Sequence, residues 1–160
     1  MRIATWNLER PKNGSSQRSR LLMDKLGEID ADIWILTETH DEVIPDKGYH
    51  SGSTDPVPEP PIIHLDGEHR TTIWTRWPIA DTLPTSSPDR TVCADIETPY
   101  GSLLVYGTII SYHRSGCPPY GSARQWEAYY AAIATQGAEW QSRCTEECII
   151  KRCTETPSRR

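Results

Sequence analysis

The chain has no phenylalanine, and six tryptophans and seven tyrosines supply its aromatic side chains. No part of it approaches the run of roughly 18 apolar residues that a membrane-spanning helix requires. Its first residues, Met1-Arg2-Ile3, lack the apolar segment of a secretory signal. These absences predict a cytoplasmic protein with no membrane partner.

Cysteine is scarce and odd in number, with five residues in the chain. In a cytosolic protein an odd set of cysteines does not indicate a disulfide framework. Cys144, Cys148 and Cys153 lie close together near the C-terminus, but no histidine lies among them and a fourth ligand is missing. A structural zinc site is therefore not expected.

Positive charge is also in short supply, because 17 lysines and arginines face 22 acidic residues and the net charge is −5. A chain of this charge does not attract nucleic acid through its overall field. A phosphate-bearing substrate would have to be held by a local cluster of cations or by a divalent metal.

The pattern that is present favours an α/β fold in a chain of 160 residues, the length of one domain. Residues 2–8 and 32–37 read as strands, and residues 16–29 read as a helix between them, with Leu22, Leu26 and Ile29 on one face. The side chain of Ser15 or Ser16 can accept a hydrogen bond from a free backbone N–H group at the start of this helix. The segment predicts one β-α-β crossover.

Each of these two strands ends in a polar side chain, Asn7 in the first and Glu38 in the second. The unbroken apolar run 33–36 predicts a strand that is covered on both faces. The carboxyl ends of such strands meet at one rim, where open α/β sheets bind their ligands. From spacing alone, the alternative is that Asn7 caps a turn and Glu38 is solvated.

The two strands resemble the opening motifs of the endonuclease/exonuclease/phosphatase superfamily. Residues 4–8, Ala-Thr-Trp-Asn-Leu, are similar to its first strand motif, Thr/Ser-Trp/Tyr-Asn-Leu/Val. Residues 32–38 are similar to its second, which runs from Asp-Ile to Gln-Glu, with Thr37 in place of the usual glutamine. Residues 75–79, Thr-Arg-Trp-Pro-Ile, resemble a third segment, Ser-Arg-Phe/Tyr-Pro-Ile.

The resemblance implies metal-assisted hydrolysis of a phosphoester. Glu38 is the implied ligand of Mg²⁺ or Mn²⁺, and Asn7 supplies a carboxamide beside the metal. Arg76 and Tyr112 are candidates for contacting the substrate phosphate. His113 is a candidate catalytic residue, since Ile109 stands where the family's Thr-His motif would place its histidine. For Arg76 and His113, simple solvent exposure remains the alternative.

Two later motifs of the superfamily, Gly-Asp-Phe-Asn and Ser-Asp-His, do not occur in this sequence. The resemblance therefore extends over about residues 2–142 and implies the N-terminal half of the α/β sandwich. We expect residues 1–142 to form mainly one mixed sheet with two flanking helices, the second helix starting near residue 122. Residues 143–160 read as an irregular, frayed tail.

A half-sandwich of this kind would leave the inner face of its sheet uncovered, so we expect poor solubility, self-association through that face or a molten state. The function implied is a Mg²⁺-dependent phosphoester hydrolase, truncated and with little or no activity, because the later motifs are absent. Its substrate could be nucleic acid or a small phosphoester. The alternative is a non-catalytic protein-interaction module that uses the exposed sheet face.

Overall fold

Residues 1–56, 66–110 and 123–143 are the parts of the chain that the computed structural model describes. The chain divides into two units, residues 1–109 and residues 110–160. The elements are β1 Ile3–Asn7, α1 Gln17–Ile29, β2 Ile33–His40, β3 His50–Ser53, β4 Glu68–Thr75, β5 Ile79–Leu83, β6 Thr91–Thr98, β7 Gly101–Thr108 and α2 Ala123–Arg143. The tail predicted at 143–160 lies, beyond Arg143, outside the described residues.

The predicted β-α-β crossover is confirmed. Strands β1 and β2 pair in parallel, with Ile3 opposite Ile33. The cap of α1 is Ser16, whose hydroxyl oxygen accepts a hydrogen bond from the Ser19 amide at 3.1 Å. The helix ends at Asp30, which adopts a left-handed conformation (φ 53°) and donates its amide to the Leu26 carbonyl.

The first sheet has four strands in the order β1-β2-β4-β3, and its outer face packs against α1. Strand β2 lies inside this sheet, parallel to β1 and antiparallel to β4. The periodic residues of α1 meet the outward side chains of β2 in one buried cluster. Its members are Leu8, Leu22, Leu26, Ala31, Trp34, Leu36 and Val43.

The second sheet has three antiparallel strands in the order β5-β6-β7, and it packs on the inner face of the first sheet. The buried cluster between them consists of Ile33, Ile73, Val92, Ala94, Ile96 and Val105. The sheets approach closely at Gly107, where a Cβ atom would lie 3.0 Å from Ile35 Cγ2 and 3.1 Å from Thr71 Cγ2.

This second sheet corrects one expectation. The partial α/β sandwich is confirmed, but its strands divide between two sheets instead of lying mainly in one. The inner face of the first sheet is covered, so the expectation of an uncovered face was wrong. The sequence does not specify which surface the buried side of β6 contacts. Self-association through this face loses its physical basis.

The described part of the second unit is α2, which begins and ends close to the predicted positions. Its periodic apolar residues remain exposed: Trp126 is 43%, Tyr130 62% and Trp140 58% accessible. The rings of Trp126 and Tyr130 stack with their centroids 6.0 Å apart. Within the described ranges, no helix is long and apolar enough to cross a membrane.

Candidate active site at the sheet rim

Asn7 and Glu38 lie at the same edge of the first sheet, as the parallel pairing of β1 and β2 requires. Asn7 is opposite Thr37 in the register of the two strands. Beyond β1, the Leu8 amide donates to the Thr37 carbonyl and the Arg10 amide donates to the Glu38 carbonyl, both at 2.9 Å. We call this edge, formed by residues 7–10, 37–38, 70–71 and 89–91, the rim.

The backbone at the rim is strained. Among described residues other than glycine, four have positive φ, and three of them lie here: Glu9 (54°), Arg10 (55°) and Glu38 (51°). The fourth, Asp30, is the ordinary left-handed cap of α1. A non-glycine residue in this conformation costs on the order of 1–3 kcal/mol, and such residues concentrate at functional sites.

Neighbouring side chains hold the strained loop in place. The Arg18 guanidinium donates to the Leu8 carbonyl at 2.9 Å and to the Glu9 carboxylate at 3.1 Å. The Asn7 side-chain oxygen accepts a hydrogen bond from the Glu9 amide at 2.8 Å. Asn7 therefore does cap a turn, and this hydrogen bond orients its exposed carboxamide. The carboxamide oxygen keeps a second lone pair for another interaction.

Arg10 connects the loop to β4 through an ion pair. Its guanidinium lies 2.9 Å from the carboxylate of Glu68, whose side chain is only 6% exposed. A buried carboxylate is stable when it is paired and hydrogen-bonded. The sequence pattern did not single out either residue, because they are far apart in the chain and only strand pairing brings them together.

A second cationic group at the rim consists of Arg70 and Arg90 around Asp89. Arg70 lies between His69 and Thr71 on β4. These two neighbours pair with Thr39 and Thr37 of β2, and Glu38 lies between those two threonines. One oxygen of Asp89 is 3.4 Å from Arg70 Nη1 and 3.7 Å from Arg90 Nε.

Neighbouring charges and burial act on Arg70 together. Burial lowers the pKa of Arg70, the positive charges of Arg90 and Arg10 lower it further, and Asp89 opposes them. Arginine nevertheless stays protonated, since its usual pKa is far above neutrality. The positive charges of Arg90 and Arg10 therefore both act on Arg70, in a chain whose net charge is −5.

Arg76, a predicted substrate-binding residue, lies at the opposite end of the first sheet. Its amide donates to the Asp32 carbonyl at 3.0 Å, and its guanidinium pairs with Asp30 and lies 5.0 Å above the centre of the Tyr49 ring. Asp32 precedes β2 and Glu38 lies near the end of β2, a separation of about 20 Å at roughly 3.3 Å per residue. The structure does not bring Arg76 to the rim, and we leave it out of the site.

The other two predicted site residues, Tyr112 and His113, lie outside the described residues. The strand that precedes them, β7, ends at the rim. Thr108 is opposite Thr91 in the register, and their hydroxyl oxygens are 2.9 Å apart. The Ile109 amide then donates to the Arg90 carbonyl at 3.2 Å.

Comparison with models of protein families supports the resemblance seen in the sequence. A sequence model described as the Endonuclease/Exonuclease/phosphatase family matches residues 4–150. The chain belongs to this family. The match includes both opening motifs and every described helix and strand, apart from Ile3, the first residue of β1. A comparison with curated proteins gave no match.

Solved structures share the fold of this family member at low sequence identity. The 3′ phosphatase NExo from Neisseria, solved with a product DNA hairpin, is 13% identical with a TM-score of 0.59, over 91% of this chain and 53% of that one. The endonuclease domain of TRAS1, a telomere-specific non-LTR retrotransposon, is 15% identical with a TM-score of 0.52, over 83% and 52%. Humanized D. rerio TDP2 is 17% identical with a TM-score of 0.51, over 70% and 48%.

The chain thus spans about half the length of these proteins. At these identities the structural likeness shows the fold alone, and the partial α/β sandwich of the endonuclease/exonuclease/phosphatase family is confirmed.

The donor atoms at the rim suit a hard cation. No group of three or more histidine, cysteine, aspartate or glutamate side chains that could hold a metal occurs in the described part of the chain. Glu38 and Asn7 offer one carboxylate and one carboxamide oxygen. Magnesium is commonly bound by one or two carboxylates, with water and substrate phosphate completing its shell, so this sparse oxygen set fits Mg²⁺ better than Zn²⁺.

Proposed function

We propose that the rim is the active site of a divalent-metal-dependent phosphoester hydrolase, with Glu38 and Asn7 as the ligands of Mg²⁺ or Mn²⁺. The observation that carries this proposal is the strained, interlocked backbone at Glu9, Arg10 and Glu38. Three left-handed residues at one edge of a sheet are costly, and a site that must hold a carboxylate at a set angle provides a reason for them.

Each rim residue has a separate part in this chemistry. A bound metal ion would polarise the phosphoryl oxygens and stabilise the leaving oxygen. Glu38 supplies the negative charge that attracts the cation. Asn7 adds a neutral oxygen, and the hydrogen bond from the Glu9 amide orients that oxygen before any ligand binds. Arg70 and Arg90 place positive charge beside the same edge, where a phosphate would approach.

Tyr112 and His113, which lie outside the described residues, remain proposals for phosphate contact and proton transfer.

We propose a DNA phosphoester as the substrate. Among the proteins of similar fold, one is a 3′ phosphatase solved with a product DNA hairpin and another is an endonuclease domain. The substrates to compare are a 3′-phosphorylated oligonucleotide, plasmid DNA and a small phosphomonoester. Faster hydrolysis of the small ester than of either DNA would contradict this assignment.

The proposal is tested by Glu38→Gln, which keeps the size of the side chain and removes its charge. We expect Mg²⁺-dependent hydrolysis by the full chain to fall by about 100-fold or more. Binding of Mn²⁺, followed by electron paramagnetic resonance, should weaken in the same variant. The matched control is Glu28→Gln on α1, where the side chain is 69% exposed and pairs with Lys25 along the helix surface.

Equal hydrolysis by Glu38→Gln and the unchanged protein would refute the proposal. An equal loss in Glu28→Gln would also refute it, since the effect would then not be local to the rim. A chain that is folded by circular dichroism yet neither binds Mn²⁺ nor hydrolyses any of these esters would do the same.

A further inference from the structure

We propose that Arg70 and Arg90 form a phosphate-binding subsite and that a phosphate group of the substrate displaces the carboxylate of Asp89 from between them. The identity of the phosphate as part of a substrate rests on the proposed function. The subsite itself rests on the geometry of these side chains.

The first argument is the loose hold on Asp89. Its Oδ2 atom lies 3.4 Å from Arg70 and 3.7 Å from Arg90. Charge-assisted hydrogen bonds between guanidinium and carboxylate measure about 2.7–2.9 Å, so both separations are too long for such bonds. The other oxygen of Asp89 accepts a bond from the Ser87 hydroxyl at 3.2 Å. Asp89 is therefore held mainly by charge.

The second argument is the imbalance of charge. Two guanidinium groups share a single carboxylate, whereas the nearby Arg10 has its own partner in Glu68. The Arg70 and Arg90 side chains are only 19% and 21% exposed, so water compensates them incompletely. A phosphate carries more oxygens than a carboxylate and matches the planar fork of arginine in a bidentate manner. It would satisfy both cations better than Asp89 does.

The third argument is that binding requires side-chain movement only. The loop that carries Asp89 is tied down by backbone bonds, from Asp55 to the Pro88 carbonyl at 2.8 Å and from Arg90 to the Ser87 carbonyl at 2.9 Å. The Thr71 hydroxyl also donates to the Arg90 carbonyl at 2.8 Å. Arg70 and Arg90 thus have fixed backbone positions, while the carboxylate of Asp89 can rotate away.

The position of the subsite connects it with Glu38. The neighbours of Arg70 on β4 pair with the neighbours of Glu38 on β2, and paired strands lie about 4.8 Å apart. One phosphate-bearing substrate can therefore reach both the proposed metal ligand and the two arginines.

The test measures the binding of inorganic phosphate and of a short 3′-phosphorylated oligonucleotide to the full chain, by calorimetry in the presence of EDTA. Asp89→Asn removes the internal competitor, so we expect both ligands to bind about tenfold more tightly. Arg70→Gln should weaken both by about tenfold or more. The matched controls are Asp30→Asn and Arg76→Gln, an arginine–aspartate pair at the other end of the sheet, which should leave both affinities unchanged.

Unchanged affinity in Asp89→Asn, or an equal loss in Arg76→Gln, would overturn the inference. Asp89→Asn predicts a gain, so it decides the matter even if Arg70→Gln fails to fold. An oligonucleotide that binds no more tightly than inorganic phosphate would overturn the assignment to a substrate.

The two proposals fail separately. If Glu38→Gln abolishes hydrolysis while Arg70→Gln leaves phosphate affinity unchanged, only the subsite is wrong. If Arg70→Gln weakens phosphate binding while Glu38→Gln hydrolyses normally, only the proposed function is wrong.

Discussion

Glu38 occupies a strand position with a left-handed backbone, and this conformation depends on its neighbours. The bond from the Arg10 amide to its carbonyl ties it to a loop that is itself left-handed at two residues. Nothing in the local sequence predicts positive φ at a glutamate or an arginine, which disfavour it. The resemblance identified Glu38 and Asn7 as a pair, but only the structure shows how their backbones are interlocked.

Tyr49 shows how one residue responds to its tertiary surroundings. Its hydroxyl donates to the Ala31 carbonyl, and Arg76 lies over its ring. Burial raises the pKa of Tyr49 above its usual value of 10.0; Arg76 opposes this effect, and Asp30 and Asp32 add to it. The folded state therefore holds the phenol proton more tightly than the unfolded state does.

This difference predicts a loss of stability in alkali. The unfolded state releases the proton first, so the contribution of Tyr49 is complete below the unfolded pKa and is lost as the pH rises through the folded pKa. Between about pH 8 and about pH 11 we expect the free energy of unfolding to fall more steeply for the unchanged protein than for Tyr49→Phe. Urea unfolding at both pH values measures this. The control is Tyr100→Phe, at a residue that is 79% exposed, and its free energy of unfolding should fall as steeply as that of the unchanged protein. Equal falls in all three proteins would contradict the assignment of the effect to Tyr49.

At the level of elements, the close approach of the two sheets depends on Gly107. Its position on β7 faces Ile35, Thr71 and Ile73 of the first sheet, whose side chains would have to shift to admit a methyl group. Its packing role follows from the second sheet lying across the first, which strand alternation alone does not predict.

Gly107→Ala should therefore destabilise the protein by about 1–3 kcal/mol, because the added methyl group overpacks the space between the sheets. Urea unfolding of the full chain measures the change. The matched control is Gly27→Ala on the exposed side of α1, where a Cβ atom would meet nothing within 4 Å. That change should stabilise the protein by about 1 kcal/mol, since alanine favours the helix over glycine. A neutral Gly107→Ala would show that the sheets are farther apart than described.

At the scale of the whole molecule, three arginines of an acidic chain lie together at one edge. The net charge is −5, yet Arg10, Arg70 and Arg90 lie at the rim, beside the carboxylates of Glu9, Glu38 and Asp89. Composition predicted weak attraction for nucleic acid, so that a phosphate would have to be held by a local cluster of cations or by a divalent metal. The structure supplies the cluster from residues that are distant in sequence.

This distribution predicts a shallow salt dependence of binding. If two arginines contact phosphates of a single-stranded oligonucleotide, the logarithm of the association constant should fall with the logarithm of salt concentration at a slope of about −1.4. Fluorescence anisotropy between about 50 and 200 mM salt, with EDTA present, measures the slope. A slope steeper than about −4 would mean many more phosphate contacts than the rim provides. Arg70→Gln should make the slope shallower by about 0.7.

The sequence by itself determined the β-α-β unit, the start of α1, and the family resemblance at Asn7 and Glu38. These features depend on periodicity and short motifs, which act over a few consecutive residues. Only the tertiary structure decided that the strands form two facing sheets, that Arg76 lies away from Glu38, and that Arg70, Asp89 and Arg90 meet. Such features depend on pairing between segments far apart in the chain, where local side-chain preferences do not distinguish one partner surface from another.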